Sequence, residues 1–457
     1  MIFQTLREFA TYEQQLAAAL FAVEDRGFEM DLKRLGTLKL EVESDLVTER
    51  GVISKVSGLN IASRKSQIPK DETDWINLGA PEQVKTLLIG CGLKLKKLKG
   101  KESTREEVLQ QMFSESGHPV LQSVLKVREL NKIRGYLNAN LDNGIFYSSF
   151  NPAGTVTGRR SSAENFLELG TNQQNIPKHS KLGKRYRRCF VARPGRVFVS
   201  CDQKGADDWV VHGYIADVSG ITSGIEEMRA GINRHQKLAS FIFAFPEDKC
   251  GSDTVYYYLG KKTRHAGQYG QRGNTMSLVL AKEGYFYPPK ACQDLLDKFH
   301  KAEPQIANVY WKYIEETLKR GRTLVTPVGR RRIFFSLRDY SDNSSVYRDG
   351  YIYLPQSTVA DNTGMAIVWL EDNFPNFVLN ETHDSITGEA EDSVDKVNEA
   401  IRMLKQSFHR VFTFPNGFQV EIPVSVEIGY NLQDMVKVKD EANLEILQRA
   451  KELSLKN

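Results

Sequence analysis

The sequence predicts a multidomain α+β protein in which helical arms flank a mixed centre assembled from separated stretches of chain. Three observations predict it. The 457 residues exceed what one hydrophobic core normally supports. Helical periodicity dominates the first third and the stretch 231–345, whereas strand-like segments occur in separated places, around 197–202, 377–389 and 419–428. No internal repeat or low-complexity linker separates these textures.

In order along the chain, Leu6, Phe9, Leu16, Leu20 and Phe21 fall at helical spacing before the break at Asp25-Arg26-Gly27. A helix-rich segment then runs to Leu137. Within it, Leu93 to Arg105 carries Lys94, Lys96, Lys97, Lys99, Lys101 and Arg105, while Gly100 and Ser103 break a regular helix. This stretch is either a solvated loop or a tip that contacts phosphates. From 141 to 202, short extended pieces lead to one clear strand, Val197 to Asp202. Residues 231–345 return to helices, including Tyr256-Tyr257-Tyr258 and the glycine-containing element from Lys261 to Asn274. The final third mixes a helix around Ser357 to Asp372 with strands around Phe377 to Glu389 and Gln419 to Ile428.

A net charge of +5 and a pI near 8.7 are compatible with nucleic acid without requiring it. Cys91, Cys189, Cys201, Cys250 and Cys292 are scattered and form no C-x-x-C pair, which argues against a disulfide framework and a zinc cluster. A reducing, cytoplasmic compartment is expected. Ala17 to Val23 is apolar, but Glu8, Glu13 and Glu24 flank it, and no stretch approaches a span of ~18 apolar residues, so no membrane association is expected.

Two aspartates carry the chemistry. Alternation places Val197, Val199 and Cys201 on one face of a strand and Phe198, Ser200 and Asp202 on the other, so the Asp202 carboxylate lies at a sheet edge or mouth. Asp384 lies in Val378 to Ile386, a strand, tight turn and returning strand. Alone, either aspartate is more often a cap or turn residue than a ligand. Together they could hold two Mg²⁺ ions about 3.5–4 Å apart and clamp the attacking and leaving oxygens of a phosphoryl transfer.

The order of motifs resembles the family A (bacterial DNA polymerase I-like) DNA polymerases. Thr157-Gly158-Arg159-Arg160-Ser161-Ser162 and Asn172-Gln173-Gln174-Asn175-Ile176-Pro177 resemble the family segments that lead into the palm. Val197 to Asp202 resembles motif A, Lys261 to Asn274 motif B, and Thr382-His383-Asp384 motif C. Thr326 to Arg331 and Arg348 to Gln356 resemble further family segments, and Tyr12 to Leu137 is similar to the leading helix and thumb. The resemblance implies a right-hand fold with an antiparallel palm sheet, helical fingers and a helical thumb. It would divide the chain into a leading helix (1–27), thumb (28–140), first palm part (141–230), fingers (231–345) and second palm part (346–457).

The resemblance also implies roles. Asp202 and Asp384 would bind two Mg²⁺ ions, and His235 would contact the incoming triphosphate. Lys261, His265 and Tyr269, four residues apart, would share a helical face toward the nucleotide, with Tyr269 against base and sugar. His265 stands where the family's proton-donating lysine is expected, and a tyrosine at 269 implies ready acceptance of chain terminators. Arg159, Gln174, Asn175, Arg348, Gln356 and His383 match positions near primer and template.

Departures mark a divergent member, of a kind found among viral enzymes. Asp207 stands for a glutamate beneath the sugar, Gly273 for a second tyrosine and Ser385 for an acid. The implied activity is template-directed addition of deoxynucleotides to a primer 3′-hydroxyl, with primed DNA and deoxynucleoside triphosphates as partners. No acidic cluster precedes the leading helix, so proofreading is expected to be absent or to reside on a separate exonuclease or other replisome factor. A single-subunit RNA polymerase-like enzyme and a catalytically silent primer-template-binding relative are the competing expectations.

Overall fold

The structure, a computed structural model, describes residues 2–62, 75–98, 100–178, 180–338 and 343–455. It divides into two compact units. The larger comprises Met1–Leu35, Ala139–Gly270 and Lys298–Asn457, and the smaller Gly36–Asn138 and Gln271–Asp297.

The larger unit is built on a five-stranded antiparallel sheet. Its order is Val378–Thr382, Ser385–Glu391, Arg196–Gln203, Val424–Gly429 and Met435–Val438. The middle strand is the Val197 to Asp202 segment read from sequence. Val197, Val199 and Cys201 are fully buried, whereas Ser200 and Asp202 are open to solvent. This alternation leaves one face for helices and the other for polar groups. Phe198 departs from the pattern: it is buried edge to face against Phe28, with ring centroids 5.6 Å apart. A small sheet of Ile145–Phe146, Phe28–Met30 and Phe190–Val191 supplies that aromatic cluster.

On the helical face, the long Ser344–Asn373 helix packs against Ala206–Ser219, Val394–Phe408 and the leading helix Leu6–Glu24. The leading helix begins with a capping box, in which Thr5 accepts from the Glu8 N–H and the Glu8 carboxylate accepts from the Thr5 N–H at 3.0 Å.

The smaller unit is mostly helical, with Val84, Leu87, Leu109, Val120, Leu121 and Val124 in its core. Here the Gly273–Lys282 helix packs against the Glu106–Ser116 helix. Part of the stretch expected in the fingers therefore shares a core with the stretch expected as the thumb. The lysine-rich stretch is a short hairpin of Lys97–Leu98 and Lys101–Glu102 turning through Gly100, at φ +80°. Lys99 lies outside the described residues. Among the described residues, no helix is long and apolar enough to cross a membrane.

Candidate active site

Asp202 is the penultimate residue of the central strand, in register with Ser385 on one side and Ser425 on the other. Asp384 occupies the tight turn that joins Val378–Thr382 to Ser385–Glu391, where His383 adopts φ +56°. The Gln203 N–H donates to the Asp384 carbonyl at 3.0 Å, so the turn is tied to the strand that carries Asp202. Two carboxylates far apart in sequence thus meet at one end of one sheet.

Their electrostatics favour a bound cation. Desolvation, followed by the negative charge of Asp384, pushes the Asp202 carboxyl up to about 7, with Lys178 opposing. Asp384 is also raised, by burial and then by Asp207, while Arg159 and Lys178 oppose. Neither carboxylate is ion-paired at contact distance among the described residues. Two unpaired acids that resist sharing charge fit divalent metal. Among the described residues no group of three or more His, Cys, Asp or Glu could hold an ion, so substrate oxygens and water would have to complete any metal's coordination.

Beneath the aspartates lies a buried polar network that the sequence did not reveal. The Gln203 amide donates to the Thr363 hydroxyl at 2.9 Å and to the Val359 carbonyl at 3.2 Å, and accepts from the Asn362 amide at 2.7 Å. Thr363 in turn donates to the His383 carbonyl at 3.1 Å. One helix therefore grips both aspartate-bearing segments. The signal in the sequence was the polar run Thr358, Asp361, Asn362 and Thr363 in the middle of the Ser344–Asn373 helix, all of it fully buried and hydrogen-bonded. Buried polar groups persist when every one finds a partner.

The Val255–Gln268 helix brings Lys261 and His265 to an exposed face one turn apart. The His265 ring lies 5.7 Å from that of His235, which itself stands edge-on to Tyr257 at 5.9 Å. Desolvation holds His235 down to about 3, and its Nδ1 is buried without a partner. His265 is likewise lowered by desolvation, against the pull of Asp207 and Asp208. In this state desolvation favours the neutral form of both imidazoles.

Tyr269 does not extend that face. The helix ends at Gln268, and Tyr269, its C-cap, is 8% exposed and donates its hydroxyl to Asp207 at the start of the Ala206–Ser219 helix. The turn continues through Gly270 at φ +68°, against which Arg348 packs. Gln174 is also turned inward: it is buried, and its amide donates to Glu381. Arg160 completes that cluster, donating to Glu381 at 2.7 Å and to the Ala360 carbonyl at 2.7 Å, with both partners of the ion pair fully buried. Arg159 is close enough to Asp384 to lower its pKa, and Asn175 is exposed. Gln356 and His383 are half-buried. Arg330, in the Thr326 to Arg331 segment, pairs with Asp361 at 2.7 Å and with Glu13, which makes that segment scaffold.

Comparison with known proteins adds an independent line. Residues 53–434 match the model of the family described as DNA polymerase family A. The thermostable DNA polymerase I of Thermus aquaticus is 27% identical over 449 residues, covering 94% of this chain and 48% of that protein. DNA polymerase I of Deinococcus radiodurans is 26% identical over 435 residues, covering 91% and 41%. The chain thus spans about half the length of the curated relatives it matches. Among solved structures, the POL domain of Pol1 from M. smegmatis, in complex with DNA primer-template and dNTP, superposes with a TM-score of 0.75 at 22% identity, covering 92% of this chain and 70% of that one.

Proposed function

The chain belongs to DNA polymerase family A, and from that premise we propose that it performs template-directed DNA synthesis on a primed template. The observation that carries this reading is the meeting of Asp202 and Asp384 at one sheet end, with Lys261 and His265 exposed on a neighbouring helix. Asp202 and Asp384 would hold two Mg²⁺ ions, which when bound lower the pKa of the primer 3′-hydroxyl and neutralise charge on the triphosphate. The 3′-hydroxyl attacks the α-phosphate in line and pyrophosphate departs. Lys261, His265 and His235 bind the triphosphate, and His265 donates the proton that the leaving group takes up.

Asp207, held by Tyr269, shapes the sugar pocket from beneath. Arg159, Asn175, Arg348, Gln356 and His383 face primer and template, whereas Gln174 acts through Glu381 as a support. Five unpaired cysteines suit a reducing, intracellular site of action. A separate exonuclease and other replisome factors would be its protein partners.

The test is Mg²⁺-dependent extension of a primed template, supplied in turn with deoxynucleotides and ribonucleotides. Asp202→Asn and Asp384→Asn should each abolish extension while primed-template binding persists. If either variant retained more than about a tenth of the rate, the two-metal assignment would fail. Preference for ribonucleotides would favour an RNA polymerase-like enzyme, and binding without extension a silent relative.

A further inference from the structure

A cavity of about 450 Å³ opens on the polar face of the central sheet and runs from Asp202 toward the Met435–Val438 strand. Its floor is set by register. Ser200 pairs with Thr387 on one side and Glu427 on the other, and Asp202 pairs with Ser385 and Ser425. Because successive side chains alternate across a sheet, these residues all present to one face. The result is a patch of hydroxyls, of which Ser200 and Thr387 are bonded to each other at 2.9 Å.

Three cations line the same cavity: Lys178, Arg187 and Lys437. Arg187 is anchored by donating to the Leu432 carbonyl, while Lys178 and Lys437 are exposed and make no contact ion pair among the described residues. The cavity's acids are Asp202 and Glu427. Asp202 is committed to the reaction centre, which leaves an excess of positive charge beside a row of hydroxyl donors. Hydroxyls and cations lining one cavity are the groups that proteins use to hold phosphate oxygens.

We propose that Lys178, Arg187 and Lys437 form a phosphodiester-binding site for the primer strand. The inference rests on the polymerase reading above. The cavity is continuous with Asp202, so the strand nearest to it is the one whose 3′-hydroxyl Asp202 serves. Burial and then Arg187 lower the Lys178 pKa, but the lysine lies close enough to Asp384 and Asp202 for both to oppose that shift, and it would take the phosphate nearest the primer end. Lys437, on the outermost strand, would take one further back.

The experiment measures binding of a fluorescent primed template, without metal or nucleotide, over a series of salt concentrations. Lys178→Met and Lys437→Met should each weaken binding by about three- to tenfold and reduce the slope of log K against log salt by about 1, whatever the sequence. Single-stranded template should show a smaller loss. Lys396→Met, which removes an exposed lysine on the Val394–Phe408 helix, controls for net charge and should change nothing. Unchanged primed-template affinity in both cavity variants would overturn the proposal. So would a rise in KM for the nucleotide with unchanged DNA affinity, since the phosphate held there would belong to the triphosphate. Because binding is read without turnover, a wild-type protein that binds but does not extend primers refutes the proposed function while leaving this test intact.

Discussion

Tyr269 shows how a residue can match a motif while the partner of its hydroxyl stays hidden from the sequence. Spacing from Lys261 and His265 places it on their helical face, yet the helix stops one residue earlier and the ring turns inward onto Asp207. Only the position of the helix end, fixed by the turn at Gly270, separates the two outcomes. With its hydroxyl committed to Asp207, Tyr269 acts by holding that carboxylate. Tyr269→Phe and Asp207→Asn should therefore raise KM for deoxynucleotides by similar factors, and the double variant should cost no more than either, a non-additivity that a double-mutant cycle on KM reads directly. His265 yields a pH prediction. Desolvation lowers its pKa in the free protein, but a bound triphosphate favours the imidazolium. Single-turnover extension at saturating nucleotide should fall as pH rises through a histidine-like value, and His265→Lys should move that fall to higher pH. Identical profiles in His265→Lys and His265→Gln would assign the proton to another donor, of which Lys261, one turn away, is the nearest candidate.

At the scale of elements, the strands were more legible than what holds them. Val197 to Asp202 and the Asp384 hairpin could be read because alternation and turn chemistry are local. The Gln203, Asn362 and Thr363 network could not, since its members lie about 160 residues apart and nothing local distinguishes a buried amide from a surface one. The same holds for Arg160, which joins the Thr157 to Ser162 segment to the strand leading into Asp384 through an ion pair with no exposure on either side. A buried pair of this kind costs most when half of it is removed. Arg160→Leu alone strands the Glu381 carboxylate and should destabilise the protein by about 3–5 kcal/mol. Arg160→Leu with Glu381→Gln removes both charges, lets Gln174 keep an amide partner, and should recover most of that loss. Urea unfolding of the three proteins measures it, and equal losses in single and double variants would show that packing, rather than the stranded charge, dominates.

For the whole molecule, the sequence conveyed that distant segments share a core but not where each unit ends, because helices Gly273–Lys282 and Glu106–Ser116 find each other only in three dimensions. The larger unit is similarly fastened by charges from separate segments. Arg234 pairs with Asp208 at 3.2 Å, Glu227 at 3.1 Å and Glu303 at 2.7 Å, and Arg264 pairs with Glu303 at 2.6 Å, with His212 3.4 Å from the same carboxylate. Four helices and the residue following a fifth are thereby joined in one buried network. Arg264 and then Arg234 outweigh the cost of burial, so Asp208 is held down to about 2 and Glu303 well below the usual carboxylate range. The sign of the consequence is fixed. Unfolded carboxylates take up protons near pH 4, whereas these remain ionised in the folded protein, so the stability they confer is complete above pH ~4 and is lost as pH falls toward ~2. Asp208 alone should account for on the order of 2 kcal/mol. Tryptophan fluorescence suits the measurement, since Trp209, Trp311 and Trp369 all belong to the larger unit and Trp209 adjoins Asp208. Denaturant midpoints followed from pH 5 to 2.5 should drop steeply in the unmodified protein and less steeply in Asp208→Asn, which is less stable at pH 5 but has one fewer proton to absorb. If the two curves stay parallel, Asp208 does not titrate with unfolding and the acid sensitivity must be assigned to Glu303.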